Sequence, residues 1–418
     1  MTTAPVMRPL RKSVLVAPRG TGRKPLDNSA IKTSVFMKCS VERSADGPPR
    51  RESFLHSVRI RIRLRVSGIY VTARRRSPNT GVKGAAALQI RLGGKAIMTT
   101  LSISIIQQPP IFLNLAASID RAEILIREAA RDGADVIVFP EAWLPGYPVW
   151  LDEAPGSALW GHAPAEALFR VLFRNCPELD GPEIAHLAKL ATALSVEIVM
   201  GMHERRGASL YNAVVRLTPS GRRDIHRKIM PTHNERLIWA AADGSTLRPW
   251  PGPHGPFGAL ICWEHWMPLA RAATHQHGEV LHFALWPAVT ELHLLASRHY
   301  AFEGQCFVVA AGTVLTRSDV LAGFDSLAVN DPAARAMLEA IPIERHLLKA
   351  GGSAVIAADA TVIALADPGD ARPLTARIDI GLASGGKLYL DTAGHYARPD
   401  IFDLHVDLRE KRGVTTVA

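Results

Sequence analysis

From residue 98 onward the apolar residues change spacing repeatedly, and each change marks an element. "LSISIIQQ" (101–108) is a strand-like run, Ala116 to Arg131 carries apolar residues at helical spacing, and "ADVIVFPE" (134–141) is a short buried-strand run that ends in a carboxylate. The spacing predicts another helix over Asp180 to Ser195, then three strand-like runs separated by turn residues, "VEIVMGMHE", "YNAVVRLT" and "RDIHRKI". "GPFGALICWE" is expected as a strand and "WMPLARAATHQHG" as a helix ending at Gly278. "EVLHFALW", a helical "ASRHYAFEGQ" and "CFVVAAGTV" continue the alternation, and "GSAVIAAD", "ATVIALAD" and "TARIDI" are expected as closing strands. Strands alternating with helices argue for α/β layers, with sheet residues covered by helices.

The first 97 residues lack this rhythm. They mix Pro, Gly, Ser and Arg, with "RIRIRLRV" at 59–66 and "ARRRS" at 73–77. They hold 21 Lys or Arg against 4 Asp or Glu, whereas residues 98–418 hold 28 against 35. The net charge of +10 therefore belongs to the extension alone, and it is no argument for a nucleic-acid-binding surface on the rest. Residues 1–97 are expected to be a disordered basic extension or translated sequence upstream of the start, with Met98 opening the domain. A targeting leader, or an arm for nucleic acid or a membrane surface, is the competing account.

Hydrophobic residues make up 47% of the chain, enough for a folded domain, but no segment approaches the roughly 18 unbroken apolar residues of a membrane span. "LSISIIQQPPIFLNLAASI" is interrupted by Gln-Gln-Pro-Pro. Cys39, Cys176, Cys262 and Cys306 are far apart and form no C-x-x-C pair, so a reducing cytoplasm is expected. Serine-hydrolase, phosphate-loop and dinucleotide motifs are missing, and "HERRG" at 203 lacks the second histidine of a zinc H-E-x-x-H site. No metal and no cofactor are expected.

Three predicted strand ends carry chemistry. Cys262 ends the apolar run "GALI", with Glu264 two positions later; a thiol there is either a buried structural residue or a nucleophile that a nearby base can deprotonate. Glu141 follows a proline after "VIVF". It either opens an exposed loop, or sits poorly solvated with a raised pKa suited to a general base. Lys228 lies in "HRK", where solvated surface is the ordinary role and the expected one for Arg227; near a reacting centre its ammonium would stabilise developing negative charge. Glu235, seven residues on, either orients Lys228 or pairs with Arg236 at the surface. "EAWLPGYPVW" packs prolines and aromatics into a loop able to wall an apolar pocket.

"FPEAWLPGYP", "HRKIMPTHNERLIW" followed by "DGS", and "GALICWEHWMPLAR" closely resemble the three signature blocks of the nitrilase, or carbon-nitrogen hydrolase, superfamily. "RHYAFEGQCFVVAA" (298–311), "GGS" at 351 and "GHYARPDIF" (394–402) extend the resemblance over Met98 to roughly Asp407, leaving 408–418 as a tail. Cys-Trp-Glu and Pro-Thr-x-x-Glu-Arg are the forms typical of the nitrilase branch, although His265 and Trp266 stand where an Asn-Tyr pair is common. The resemblance implies Glu141 as base, Lys228 as electrostatic stabiliser, Cys262 as nucleophile and Glu235 as a supporting second glutamate. It implies a role for the Trp263 backbone N–H, and Trp263, Trp143 and Tyr147 are expected to line the substrate pocket. It further implies an α/β fold, a four-layered αββα sandwich expected when two subunits pair, and homo-oligomers from dimers to larger spirals. The implied reaction converts a small-molecule nitrile to a carboxylic acid and ammonia through a thioimidate and a thioester. A cyanide hydratase or dihydratase, or an aliphatic amidase, is the alternative within that mechanism. A nucleic-acid-binding protein using the Arg-rich arm is the alternative from another class.

Overall fold

The computed structural model describes residues 100–328 and 331–411; the basic extension, its expected disorder and most of the C-terminal tail lie outside these. Twelve strands among the described residues divide between two six-stranded sheets of similar plan. In the first, β1 (Thr100–Ile105), β2 (Val136–Val138) and β3 (Glu197–Arg206) run parallel, and β4 (Ser209–Leu217) and β5 (Arg223–Arg227) extend them antiparallel. In the second, β6 (Trp250–Gly252) lies antiparallel to β7 (Gly255–Ile261), which runs parallel to β8 (Leu281–Leu285) and β9 (Phe307–Ala311). A two-stranded ribbon of β10 (Val314–Thr316) and β11 (Leu347–Ala350) follows, and β12 (Ala354–Ile356) and β13 (Val362–Leu365) complete the second sheet. The last strand, β14 (Leu374–Asp379), returns to the first sheet and pairs antiparallel with β1, Ile103 opposite Ala376.

The helices are α1 (Leu115–Arg131), α2 (Trp150–Glu153), α3 (Ala163–Arg174), α4 (Pro182–Leu194), α5 (Pro268–His275), α6 (Glu291–Gly304), α7 (Arg317–Asp325) and α8 (Pro332–Glu339). Period-two alternation in the strands decides the layering, because successive side chains leave a strand on opposite faces. Ile137, Ile198, Met200 and Val215 point to one face and pack on Ile119, Ile126 and Leu187 of α1 and α4. Their neighbours Val136, Val138, Val199 and Val214 point to the other and pack with Phe257, Ala259 and Phe283 of the second sheet. That sheet is covered in turn by Ala273 of α5 and by Ala296, Tyr300 and Ala301 of α6.

The order helix, sheet, sheet, helix is thus complete within one chain. This corrects the expectation that the four layers arise when two subunits pair. Each sheet has helices on one face only, so its second apolar face must be buried, and the other sheet of the same chain buries it.

The layering also delivers the first predicted site residue. Beyond β2 the segment 139–144 stays zipped to β3, through Phe139 N–H to Val199 O (2.8 Å) and Leu144 N–H to Gly201 O (3.1 Å). Gly201 permits this approach, since a Cβ there would lie 2.0 Å from the Pro140 carbonyl oxygen and 2.8 Å from Ala142 N. Gly201→Ala is therefore expected to destabilise the protein by about 1–3 kcal/mol and to lower activity with it. An unchanged denaturant midpoint would show that the segment is not so tightly held.

Candidate active site

Four buried side chains converge where β2, β5 and β7 end, the place where ligands gather in layered α/β proteins. Glu141 is 1% exposed. Its Oε1 accepts from Asn212 Nδ2 (2.7 Å) and from Lys228 Nζ (3.0 Å), while Oε2 is buried with no hydrogen-bond partner. Lys228 follows β5 directly, its backbone N–H held by Asn212 O at 2.8 Å. Its ammonium also donates to Glu235 Oε2 at 2.6 Å. Glu235 lies in a 3-10 turn, His233–Leu237, where the same Oε2 accepts from Thr232 N (2.7 Å) and Oε1 accepts from the Tyr147 hydroxyl (3.0 Å).

Cys262 is the first residue after β7, at φ 53°. A residue with a Cβ in this left-handed region costs about 1–2 kcal/mol, and here it turns the strand abruptly into the 3-10 helix Cys262–Trp266. The Sγ of Cys262 and carboxylate oxygens of Glu141 and Glu235 all lie within 4.8 Å of one another. A thiolate and two carboxylates would suit a metal ion as donors. The Lys228 ammonium, bonded to both carboxylates, already supplies the positive charge between them.

The charges are unequal in number, and this sets the proton positions. Burial alone would strip Lys228 of its proton, but Glu141, Cys262 and Glu235 hold its pKa well above the usual lysine value. One ammonium cannot neutralise two carboxylates. Burial, reinforced by the charge of Glu235, pushes Glu141 up to about 7 against the opposing pull of Lys228 and Asn212. Burial and Glu141 push the Cys262 thiol well above its ordinary value, opposed by Lys228 and by the Trp263 backbone N–H. The resting nucleophile is a thiol, and beside it stands a base that is close to half ionised near neutrality.

The structure brings Glu141, Lys228, Cys262 and Glu235 together. The Trp263 backbone N–H faces the sulfur, and its side chain is 46% exposed in a shallow cleft with Met230, Arg236, Trp266 and Met267. Tyr147 donates its hydroxyl to Glu235 and so holds the second glutamate. Trp143 lies elsewhere: its indole N–H donates to Gln108 O (2.8 Å), its ring stacks edge-on to Phe139, and it packs in the cluster of α1 and α4. Arg227, expected to be solvated, pairs with the buried Glu204. The reason is the strand period, which sends Arg227 and Lys228 to different faces, each lined by a carboxylate.

Sequence reasoning missed Asn212 and the role of Glu264. Asn212, in β4, holds both the Lys228 backbone and the Glu141 carboxylate; only its place beside β5 could have signalled this. Glu264 accepts from Ile261 N (2.7 Å), Ile229 N (2.7 Å) and His226 Nε2 (2.9 Å). It therefore staples the backbone beside Lys228 to the backbone beside Cys262. A glutamate three residues past a strand end, in capping-box position, was the available sign.

A base must be ionised to act, so kcat/KM should rise as pH climbs through the Glu141 value near 7. Asn212→Leu removes a donor to the charged form and should move this acid limb to higher pH by about one pH unit. A pH–rate profile superimposable on the parent's would contradict the assignment of Glu141 as the titrating base.

The carbon-nitrogen hydrolase family model matches residues 102–385. The chain is 35% identical over 326 residues to the aliphatic nitrilase of Sinorhizobium fredii (strain HH103), covering 77% of this chain and all of that protein. It is 32% identical over 333 residues to the bifunctional nitrilase/nitrile hydratase NIT4B of Nicotiana tabacum, covering 78% of this chain and 91% of that one. Among solved structures, the carbon-nitrogen hydrolase from Helicobacter pylori G27 superposes with a TM-score of 0.53 at 17% identity, over 70% of this chain and 93% of that one, a likeness of fold. With the family model spanning most of the described residues and relatives of this identity matched over nearly their whole length, the chain belongs to the carbon-nitrogen hydrolase family, in its nitrilase branch.

Proposed function

We propose that the protein hydrolyses an organic nitrile with two waters, giving a carboxylic acid and ammonia. The observation that carries this reading is the free, buried Oε2 of Glu141 beside a thiol that is protonated at rest. As Cys262 Sγ attacks the nitrile carbon, Glu141 takes the thiol proton and passes it to the nitrogen, leaving a covalent thioimidate. Lys228 and the Trp263 backbone N–H oppose the negative charge that builds on that nitrogen. Water deprotonated by Glu141 adds to the same carbon to form a tetrahedral intermediate. Loss of ammonia leaves a thioester, which a second water cleaves to the acid and the free thiol. Expulsion of sulfur instead of ammonia would release the amide. The relatives described as bifunctional nitrilase/nitrile hydratase support testing for both products.

Tyr147 and Thr232 fix Glu235, and Glu235 fixes Lys228, so three of these residues act by holding the fourth. A groove of about 460 Å³ lined by Trp150, Leu151, Trp160, Phe169, Leu237 and Ile238 lies beside the Glu235 turn, and none of Glu141, Lys228 and Cys262 lines it. The domain assignment extends the catalytic unit over 98–407, with 1–97 and 408–418 dispensable. Undiminished turnover by a chain of residues 98–407 is its test; a nucleic-acid role for the arm is tested separately, by whether the full chain binds nucleic acid with a steep salt dependence that the shortened chain lacks. Homo-oligomerisation is supported by exposed apolar side chains on α6, Leu292, Leu295 and Phe302. Free thiols at Cys176, Cys262 and Cys306 support a reducing, cytoplasmic setting.

Assayed for ammonia from a panel of nitriles, Cys262→Ala should fall to background while remaining folded, and Lys228→Ala should lose about 10²-fold or more in kcat. Formamide or formate from cyanide, with no organic nitrile turned over, would favour the cyanide-converting alternative; amide hydrolysis alone would favour the amidase. Undiminished turnover by Cys262→Ala would refute the covalent route.

A further inference from the structure

From the Cys262 carbonyl runs a line of buried polar groups that the proposed chemistry does not use. His265 Nδ1 lies 2.7 Å from the Cys262 carbonyl oxygen. His265 Nε2 lies 3.1 Å from His282 Nε2, and His282 Nδ1 lies 2.9 Å from Glu279 Oε2. The same Oε2 accepts from the Tyr300 hydroxyl at 2.9 Å, and Tyr300 meets Thr274 Oγ1 at 2.8 Å. His265 and Glu279 are each 1% exposed and His282 is 0% exposed. The line starts from the 3-10 helix of the nucleophile and ends against α5 and α6.

Counting protons shows what this line requires. Three contacts, Cys262 O to His265, His265 to His282, and His282 to Glu279, need three protons, one in each. A carbonyl only accepts, so His265 Nδ1 must carry hydrogen; its Nε2 is then an acceptor, and His282 Nε2 must donate. His282 Nδ1 is left as an acceptor and takes the proton of the Glu279 carboxyl. Moving protons along the line changes which atoms hold them and leaves the number at three. Two neutral imidazoles with an ionised Glu279 hold only two, so one contact must fail. Charge-assisted bonds are the stronger ones, so His282 would turn its proton to the carboxylate. His265 must then either face a lone pair at 3.1 Å or carry its proton on Nε2 in place of Nδ1 and donate it to His282. In the second case the Cys262 carbonyl is released.

Resting on the proposed nitrile chemistry, we infer that His265, His282 and Glu279 form a proton-loaded relay of positioning residues that holds the backbone of the nucleophile in its left-handed turn and lets go when the relay loses a proton. The left-handed Cys262 is what needs holding, since only its surroundings offset that conformation. The groups facing the relay are His275 and His277 from and just beyond α5, Tyr300 from α6, Cys306 before β9, Arg271, which donates to His265 O at 2.9 Å, and the buried pair of Glu264 and His226. Burial pushes Glu279 up to about 7, against the opposing pull of His275, and Oε1 of the same carboxyl has no partner. Burial lowers both His265 and His282 well below their usual range, which leaves the third proton on Glu279. The folded-state carboxyl value is raised, so the relay is intact at lower pH and is lost as pH rises through that value.

Three variants separate this role from plain packing. Glu279→Gln can set its amide NH2 where Oε2 stands, donating to His282 Nδ1 and to the Tyr300 oxygen while Tyr300 turns its own proton to Thr274 Oγ1, so its relay holds three protons at every pH. It should keep kcat within about twofold near neutrality and lose the parent's decline on the alkaline side. His265→Asn offers an amide N–H in the place of Nδ1 but no link to His282. It should likewise keep most of kcat and lose the alkaline decline. His265→Ala releases the carbonyl at every pH and should lower kcat about 10- to 100-fold with KM changed little, the cost of a slightly misplaced nucleophile. Melting temperatures check folding, and Glu279→Gln decides the matter should His265→Ala unfold.

The same pH series is read on the rate of iodoacetamide alkylation at Cys262, taken as the difference from Cys262→Ala. That readout needs no nitrile turnover, so failure of the nitrilase reading and failure of the relay are told apart. Parental kcat and alkylation rate in His265→Ala, or an unaltered alkaline limb in Glu279→Gln, would overturn the relay.

Discussion

A single ammonium shared between two buried carboxylates organises this protein. Lys228 is fully buried, 3.0 Å from Glu141 and 2.6 Å from Glu235. Desolvating three charges is costly, and removing one partner of a buried pair costs about 3–5 kcal/mol, so the surrounding fold must supply further bonds to each. It does so through Asn212 for Glu141 and through Tyr147 and Thr232 for Glu235. Burial, reinforced by the charge of Glu235, is what raises Glu141 towards neutrality, and Glu141, Cys262 and Glu235 together keep Lys228 cationic against burial.

The two-sheet architecture exists around that cluster in a specific sense. β2 and β5 end in the first sheet and β7 ends in the second, so the base and the ammonium come from one layer and the nucleophile from the other. Packing of Val138, Val199 and Val214 against Phe257 and Phe283 therefore sets the distance from Glu141 to Cys262. Glu264 makes this register local as well, by bonding the backbone of Ile229 and of Ile261 with one carboxylate. Its charge is held by His226, whose protonation Glu264 favours against burial.

Much of this was legible before the structure. The strand ends at Glu141, Lys228 and Cys262 lie where the apolar runs stop, because a run that changes period must also leave the sheet, and helix α1 starts within one residue of the expected position. Helix α6 begins at Glu291, ahead of the expected "ASRHYAFEGQ", since Thr290 caps it and its apolar Leu292 and Leu295 face outward, which hides the period. Helices α3, α7 and α8 and the ribbon of β10 and β11 were not foreseen; α7 and α8 are each only eight or nine residues long, too short for periodicity to show. The aromatics of "EAWLPGYPVW" were legible as a packed loop, but ring directions depend on neighbours distant in sequence. Hence Trp143 turned to Gln108 and Tyr147 to Glu235. Partners such as Asn212 and the histidines in line with the Cys262 carbonyl come together only through tertiary pairing, which no local pattern encodes.

The central claim is that Cys262 forms a covalent bond to the substrate carbon. Rapid quenching of the protein during nitrile turnover, followed by peptide mass spectrometry, tests it most directly. The peptide holding Cys262 should gain the mass of the intact nitrile, or of the acyl group left after ammonia departs, and the gain should vanish as substrate is exhausted. Turnover with no adduct on that peptide under any quench time, or an adduct on another residue that forms and decays at the catalytic rate, would contradict the account.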